Sequence, residues 1–406
     1  MAHAITSRLP VEIVDHIFSE LDTARHTELY RLLLVNSHFH ALSIRLLYRN
    51  LRPWTPPRTV RLLQSLVFSY LQDRPSRCPP PHNFVKSLLI HLGNITTLKA
   101  LTTLIYRALR TLPQLKSLVL DLSAKDNGYA WVLPPDVPFQ LETFTTTLHF
   151  VPALADFLNG QPTIRHLSLR GCQTIFPFKL APGALPHLST CRTVHASPGL
   201  LVELTKGRPL TGLSLSIFPE DYCYSFKAVT RTSAPIKRLT VLILGSIPPS
   251  ELFLNIAKYM PLLEALHVVS PFGMDSSDAL QASAPSLEHF KALRYITYMA
   301  SGESESGPDE ASLAECWHEA CPTLQTIILP KGQLWFRRDE KWVCSLVPSP
   351  SPEVDDTTER EVADEDEREA TGDSGATSSE SDDQEEDTGE PQPEFYDHVE
   401  SFEPVL

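Results

Sequence analysis

One short segment brings together three residues that could hold a metal. Cys316, His318 and Cys321 stand in Cys-Trp-His-Glu-Ala-Cys, and thiolate and imidazole are the ligands that zinc prefers. On a helix the second and third side chains project about 200° and 500° from the first, so the three do not share a face. Because no second cluster in the sequence supplies a fourth ligand, we expect ordinary helix packing here and no metal.

Other signatures of catalysis are missing from the sequence. It has no Gly-x-x-x-x-Gly-Lys-Ser/Thr loop, no Gly-x-Ser-x-Gly elbow and no His-Glu-x-x-His helix. His38 and His40 flank Phe39, a spacing that fits solvated or core-edge histidines better than a catalytic pair. We therefore expect neither a cofactor nor an enzyme, and a hydrolase built from distant residues is a third interpretation only.

Net charge divides the chain into two regions of opposite sign. Residues 353–406 hold 22 acidic and two basic residues, and the Ser-, Glu-, Asp- and Pro-rich composition predicts a disordered acidic tail over 348–406. The overall charge of -14 leaves +6 on the other 352 residues, whose basic side chains are scattered. No basic run with interleaved aromatics occurs, so nucleic acid is not an expected partner.

The composition is that of a globular chain in a reducing compartment. Hydrophobic residues make up 42% and charged residues 21%, which is enough apolar material for a core. Seven cysteines lack a repeated close spacing, and no stretch approaches ~18 uninterrupted apolar residues. Glu12 and Asp15 precede any apolar run that could act as a signal peptide. We expect a protein of the cytoplasm or nucleus with no membrane partner.

Helical periodicity dominates the N-terminal residues. Leu9, Ile13, Ile17 and Leu21 recur every four residues, and a similar apolar period continues to Leu47, which predicts three short helices. A unit of about 45 residues lies near the size at which a lone core is marginal. Several of its apolar side chains should therefore need a surface outside the unit, as in a docking module.

The same residues carry a family resemblance. Residues 9–21, Leu-Pro-Val-Glu-Ile-Val-Asp-His-Ile-Phe-Ser-Glu-Leu, resemble the opening of the F-box, and residues 32–36 and 46–51 resemble its remainder in fungal members. The resemblance implies an F-box-like module over 5–52 that docks on the Skp-type adaptor of a cullin-RING ubiquitin ligase. It implies adaptor contacts for Leu9, Pro10, Ile13, Ile17, Leu21, Leu33, Val35 and Phe39.

Beyond residue 52 the sequence repeats. The unit is Pro-x-apolar-x-x-apolar, usually followed by x-apolar, and most of its steps are about 25 residues, as in leucine-rich repeats. Phe84, Leu88 and Ile90 resemble an imperfect first strand. The copies begin at Pro113, Pro138, Pro162, Pro186, Pro209, Pro235, Pro261, Pro285 and Pro322.

Helical stretches separate these strands, so each repeat should hold one strand and one helix. Residues 53–347 thus resemble an irregular leucine-rich-repeat solenoid, and the expected fold is an α/β horseshoe with a parallel sheet on the inner face. Residues 301–308 form a polar insertion. Alternation of apolar and polar residues predicts a capping hairpin near 333–347. The strand positions offered as partner contacts are Lys116, Arg165, His166, Lys237, Arg238 and His267.

Two functions fit this organisation. The first is the substrate-recognition subunit of a Skp-cullin-F-box ubiquitin ligase, whose repeats bind a protein substrate that the sequence does not identify. The alternative is a ligase-independent leucine-rich-repeat scaffold or inhibitor whose N-terminal helices only cap the sheet.

The charge division generates a prediction. An acidic segment tethered to a basic body competes with acidic partners for the same cations, and salt weakens such competition because the Debye length falls to about 3 Å at 1 M. Deleting residues 353–406 should therefore strengthen the binding of acidic partners at low salt and change it little at ~1 M salt. Equal affinity with and without these residues at low salt would show that the segment is inert.

Overall fold

The structure, a computed structural model, describes residues 13, 16–17, 26–53, 55–71, 80–93, 99–122, 129–272, 276–300, 310–338 and 341–345. The chain divides into two units, Met1–Pro348 and Ser349–Leu406, and every described residue lies in the first. The predicted acidic tail and the polar insertion at 301–308 lie outside the described residues.

Within the described residues, thirteen strands form one open sheet in which each strand lies beside its neighbour in sequence. The first eleven run parallel, and the last two are antiparallel. The strands are β1 (Asn50–Leu51), β2 (Ser87–His91), β3 (Ser117–Asp121), β4 (Thr143–Thr146), β5 (His166–Leu169), β6 (Thr190–Thr193), β7 (Gly212–Ile217), β8 (Arg238–Ile243), β9 (Ala265–Ser270), β10 (Tyr295–Ala300), β11 (Thr326–Ile328), β12 (Leu334–Arg338) and β13 (Lys341–Ser345).

Apolar side chains on one face of the sheet stack in register. Leu118 lies between Leu88 and Phe144 on the neighbouring strands, and all three are buried. Because strand side chains alternate between faces, Leu120 returns to the same buried face. The position of Leu118 recurs once per strand, in Leu88, Leu118, Phe144, Leu167, Cys191, Leu213, Leu239, Leu266, Ile296 and Ile327.

A proline turn leads into many of these strands. The N–H of Leu115 donates to the carbonyl of Leu112 at 3.4 Å, with Pro113 second in the four-residue turn. Proline presets the backbone angle that this turn position needs, and its missing N–H is not required there. The same bond closes the turns at Pro162 (3.4 Å), Pro186 (3.2 Å), Pro261 (3.2 Å) and Pro322 (3.1 Å).

Helices cover the buried face between most strands. Ile105, Leu204 and Phe253, on three of these helices, belong to one apolar cluster with the strand leucines. The helices are α1 (His26–Leu33), α2 (Ser37–Leu47), α3 (Pro56–Leu71), α4 (Lys99–Leu109), α5 (Pro152–Asn159), α6 (Pro198–Thr205), α7 (Tyr222–Val229), α8 (Pro249–Tyr259), α9 (Ser277–Ala282), α10 (Ala284–Leu287) and α11 (Glu310–Ala320). None of the helices in the described ranges is long and apolar enough to cross a membrane.

The structure corrects the repeat assigned to Pro285. This proline stands in the first turn of α10, where a helix tolerates its missing N–H, and Leu287 and Phe290 precede the strand instead of forming it. The strand itself is Tyr295–Ala300, and Leu293 takes the buried position that Leu287 was expected to fill. A helix and a strand both accept Pro-x-apolar, so the motif alone did not separate them.

The expectation of one helix per repeat is wrong between β5 and β6. Residues 170–189 contain no helix, and buried Phe178, Leu180 and Leu185 cover the sheet in its place. The ring of Phe178 meets Phe150 edge-on, with centroids 5.7 Å apart. Apolar burial is therefore kept by a packed loop where the helical period is missing.

An antiparallel pair lies where the alternation predicts a hairpin. This pair is β12 and β13. β12 also pairs with β11, where the buried Trp335 lies opposite Ile327. Its Nε1 donates to Oε2 of Glu310 at 3.3 Å, while Oε1 of Glu310 accepts the N–H of Lys331 at 3.0 Å. One carboxylate on α11 thus ties the hairpin to the last parallel repeat.

Gly171, in the loop that replaces a helix, yields a stability prediction. A Cβ at Gly171 would lie 1.9 Å from the carbonyl oxygen of Leu148, a backbone atom that cannot move aside. Gly171→Ala should therefore lower the free energy of unfolding by about 1–3 kcal/mol.

The matched control is Gly199→Ala in the first turn of α6. The nearest atom to its Cβ is Oγ of Ser197 at 3.8 Å, so it should be neutral or stabilising by up to ~1 kcal/mol. Thermal unfolding midpoints compare the two variants, and equal midpoints would contradict the packing of this loop.

Candidate protein-binding surfaces

The N-terminal helical residues expose apolar side chains. Ile13 and Ile17 have helical backbone, and their side chains are 45% and 50% exposed. Each isoleucine therefore presents apolar surface that the described residues leave open.

A second apolar group lies in the turn between α1 and α2. Leu34 is 88% exposed and Val35 46% exposed. The N–H of Leu34 donates to the carbonyl of Arg31 at 3.2 Å, which closes the end of α1. Asn36 caps α2, since its Oδ1 accepts the N–H of Phe39 at 2.8 Å. Hydrogen bonds thus fix the turn while its apolar side chains face solvent.

α1 and α2 pack around an apolar cluster of their own. Leu42 is buried, with Leu32, Phe39 and Leu46 packed around it, and this cluster is separate from the core of the sheet. Leu29 on α1 is 1% exposed. The expectation that the N-terminal unit needs an outside surface stays a prediction.

The eight sequence-predicted contacts divide into three groups. Ile13, Ile17 and Val35 are exposed, and Leu33 and Phe39 are half-buried. Leu9, Pro10 and Leu21 lie outside the described residues.

Two further exposed residues, Leu34 and Tyr30, were not among the predicted contacts, and Tyr30 is 59% exposed. The signal for Leu34 was present in the run Leu32 to Val35. Four consecutive residues cover about 300° of a helix, so they cannot all face one core. Such a run predicts that at least one apolar side chain points to solvent.

The N-terminal helices are joined to the sheet by backbone and side-chain contacts. Asn50–Leu51 pairs in parallel with Ser87 and Leu88, so the chain leaves α2 directly into the first strand. The guanidinium of Arg45 on α2 lies 5.7 Å from the ring centre of Phe84. The exposed apolar residues are therefore carried on helices anchored to the edge of the sheet.

These helices, the exposed turn and β1 fall within one span of the sequence. Residues 6–53 match the F-box-like family model. The match confirms the resemblance of these residues to the F-box, and F-box domains are in general non-catalytic modules that bind a Skp-type adaptor. Among curated proteins, none matches this chain.

The second candidate surface is the open side of the sheet. Five of its six sequence-predicted residues are exposed and lie at the N-terminal ends of their strands. These five are Lys116, Arg165, His166, Lys237 and Arg238, each at or one place before the first residue of β3, β5 or β8.

His267 differs from the other five candidates. It lies in the middle of β9, and its Nδ1 is 3.1 Å from Oγ1 of Thr297 on the next strand. Burial lowers the pKa of the His267 imidazole, so it is neutral at pH 7. His267 belongs to the hydrogen bonding of the sheet and adds no positive charge to its surface.

The cysteine-histidine segment lies on and just after α11. His318 is buried with its ring against Trp342, at a centroid distance of 5.6 Å, and the thiol of Cys321 lies 3.3 Å from Oγ1 of Thr323. Burial raises the pKa of the Cys321 thiol, which keeps it protonated. Across the part of the chain that the structure describes, no group of three or more His, Cys, Asp or Glu residues could hold a metal ion.

Two leucines of the F-box-like domain should respond oppositely to truncation. Leu29→Ala empties a buried site and should cost about 2–5 kcal/mol, whereas Leu34→Ala removes solvated atoms and should change stability by less than about 0.5 kcal/mol. Amide hydrogen exchange along α1 measures both, and it should rise in the first variant alone. Similar exchange in both would contradict the burial of Leu29.

Proposed function

We propose that this chain is the substrate-recognition subunit of a Skp-cullin-F-box ubiquitin ligase. The observation that carries the proposal is the F-box-like match together with exposed Ile13, Ile17, Leu34 and Val35. A Skp-type adaptor covers these side chains. Full burial of one such side chain contributes at most about 1.5–3 kcal/mol, so these residues supply a substantial share of the contact energy.

The sheet and its helices serve as the receptor for the protein substrate. Strand-helix units that recur about every 25 residues support a leucine-rich-repeat solenoid, in which stacked units leave one face of a parallel sheet free for a partner. The irregular spacing gives each strand different outward residues, so the repeats select a substrate by its particular surface.

The chain contributes position to the ubiquitination reaction and no chemistry of its own. Binding substrate and adaptor at once raises the effective concentration of substrate lysines near the ubiquitin-charged enzyme. Pairing of Asn50–Leu51 with β2 makes the adaptor-binding helices and the receptor sheet one connected body. A stiff connection keeps the substrate in a fixed direction from the adaptor.

We propose that the protein acts in the cytoplasm or nucleus. The described cysteines are free thiols, which supports a reducing compartment.

A ligase-independent scaffold is the second candidate. The same pairing of Asn50–Leu51 with β2 favours it, because α2 then also lies at the edge of the sheet as a terminal cap does. In this function the exposed isoleucines do not bind an adaptor.

The deciding experiment is capture of a recombinant Skp-type adaptor by the full chain. Replacing both isoleucines in Ile13→Asp, Ile17→Asp should reduce capture by more than about 100-fold, because two buried apolar contacts of ~1.5–3 kcal/mol each become unpaired charges. Leu34→Asp should weaken capture in the same direction.

The matched control is Leu254→Asp, Leu262→Asp. These leucines are 45% and 49% exposed, as the isoleucines are, but lie on and after α8 in the repeats. The control should capture adaptor normally. Normal capture by a folded isoleucine variant, or no capture by the unmodified chain, would favour the scaffold function instead.

A further inference from the structure

Residues one place before β1 to β11, together with Arg337 within β12, form a continuous hydrogen-bonded row along the sheet. The N–H of Lys116 donates to the carbonyl of Lys86 at 2.8 Å, and the N–H of Glu142 donates to that of Lys116 at 2.7 Å. The same bond links each following member to the one before it, from 2.8 to 3.2 Å. The row, here called the strand-start row, consists of Arg49, Lys86, Lys116, Glu142, Arg165, Ser189, Thr211, Lys237, Glu264, Arg294, Gln325 and Arg337.

The strand-start row is strongly basic. Seven of its members are Lys or Arg and two are Glu, whereas the whole of residues 1–352 carries only a small positive excess. Neighbouring strands lie about 4.8 Å apart, which brings Arg49, Lys86 and Lys116 close together in succession. Like charges on adjacent strands destabilise a sheet, so packing of the sheet does not explain this arrangement.

The two acidic members occupy equivalent places. Oε1 of Glu142 accepts from Nζ of Lys116 at 2.6 Å, and Oε1 of Glu264 lies 2.9 Å from Nζ of Lys237. These lysines lower the pKa of both carboxyls, first by hydrogen bonding. Side chains of neighbouring row members therefore reach one another on one side of the sheet.

Five cations of the row form no ion pair with any residue that the structure describes. Arg165 and Arg294 stand next to the paired glutamates on the far side from the lysines, and they lower the pKa of those carboxyls only through longer-range attraction. The other three are Arg49, Lys86 and Arg337. Four of these five cations are exposed and Lys86 is half-buried, so the row offers accessible positive charge in groups separated by neutral pairs.

We propose that the strand-start row binds an extended acidic segment of a partner protein. The inference rests on the proposed function, in which that partner is the substrate of the ligase. The unpaired cations lie before β1, β2, β5 and β10 and within β12, so at about 4.8 Å per strand successive ones are roughly 5, 14, 24 and 10 Å apart. An extended segment rises about 3.3 Å per residue, so it can reach them with carboxylates spaced unequally along it. Carboxylates accept charge-assisted hydrogen bonds from arginine in a bidentate manner.

A protein segment fits the row better than a nucleic acid does. A protein segment can place neutral residues opposite Glu142 and Glu264, whereas a phosphate backbone carries a charge at every nucleotide and would be repelled there. No aromatic residue belongs to the row, so the stacking that single-stranded nucleic acid uses is missing from it.

The test measures binding of a fluorescent peptide of alternating Glu and Ser to the full chain, with a Gln-Ser peptide as its neutral match. Replacing Lys86, Arg165 and Arg294 by Ala should weaken binding of the Glu peptide about tenfold at low salt, since three solvent-accessible ion pairs are lost. The control replaces Arg61, Lys227 and Lys258, exposed cations on helices, by Ala and should change affinity less than about twofold.

A second pair of variants tests whether removing the acidic members of the row strengthens binding of the Glu peptide. Glu142→Gln, Glu264→Gln frees Lys116 and Lys237, so Glu-peptide binding should become about threefold tighter. Glu288→Gln, Glu319→Gln makes the same charge change at exposed sites away from the row and should leave affinity unchanged.

Several outcomes would overturn the proposal. The first is an equal loss of Glu-peptide affinity in both triple variants, and the second is equal affinity for the Glu and Gln peptides. The third is that a single-stranded oligonucleotide binds more tightly than the Glu peptide and that the triple row variant abolishes this binding. Adaptor capture by the same samples separates the two proposals. Row-dependent peptide binding without adaptor capture would support an acidic partner and contradict the ligase function.

Discussion

Parallel pairing of strands in sequence order is the constraint on which the rest of this structure depends. Each strand must place its buried residues opposite those of its neighbour, as Leu88, Leu118 and Phe144 do, because a slip of one residue would turn every side chain to the other face. Parallel strands also need a crossover, which supplies the helices that cover the apolar face. Where the crossover has no helix, between β5 and β6, a loop with Phe178 and Leu185 meets the same requirement.

The same register places functional side chains that the core does not use. Once the buried positions are aligned, the residue before each strand is aligned as well, so that Lys86, Lys116, Glu142 and Arg165 become neighbours although a whole repeat separates each from the next along the chain. Register also fixes where the F-box-like domain joins the sheet, because β1 follows α2 directly and pairs with β2. One set of backbone hydrogen bonds therefore positions both candidate binding surfaces.

Local sequence determined much of this architecture. The apolar period of the N-terminal residues and the Leu-Pro-x-Glu-Ile opening pointed to the module that the family model matches at 6–53, and Pro-x-apolar marked the start of most strands because proline presets the turn before them. Lys116, Arg165 and Lys237 could be named as surface residues from alternation alone. These features depend on neighbours a few residues apart, which a sequence displays directly.

Tertiary structure decided what depends on distant neighbours. The sequence did not show that Pro285 begins a short helix, because its motif satisfies either structure until the positions of β9 and β11 are known. It did not show which residue of the run Leu32 to Val35 is left most exposed, that Glu142 neutralises Lys116, or that Lys86 and Arg294 belong to the same row. Net charge spread over 352 residues looks weak in a linear sequence, whereas strand register gathers seven of those cations along one edge. The chain by itself specifies its side chains and their local periods, and only the pairing of strands about 25 residues apart determines which charges meet.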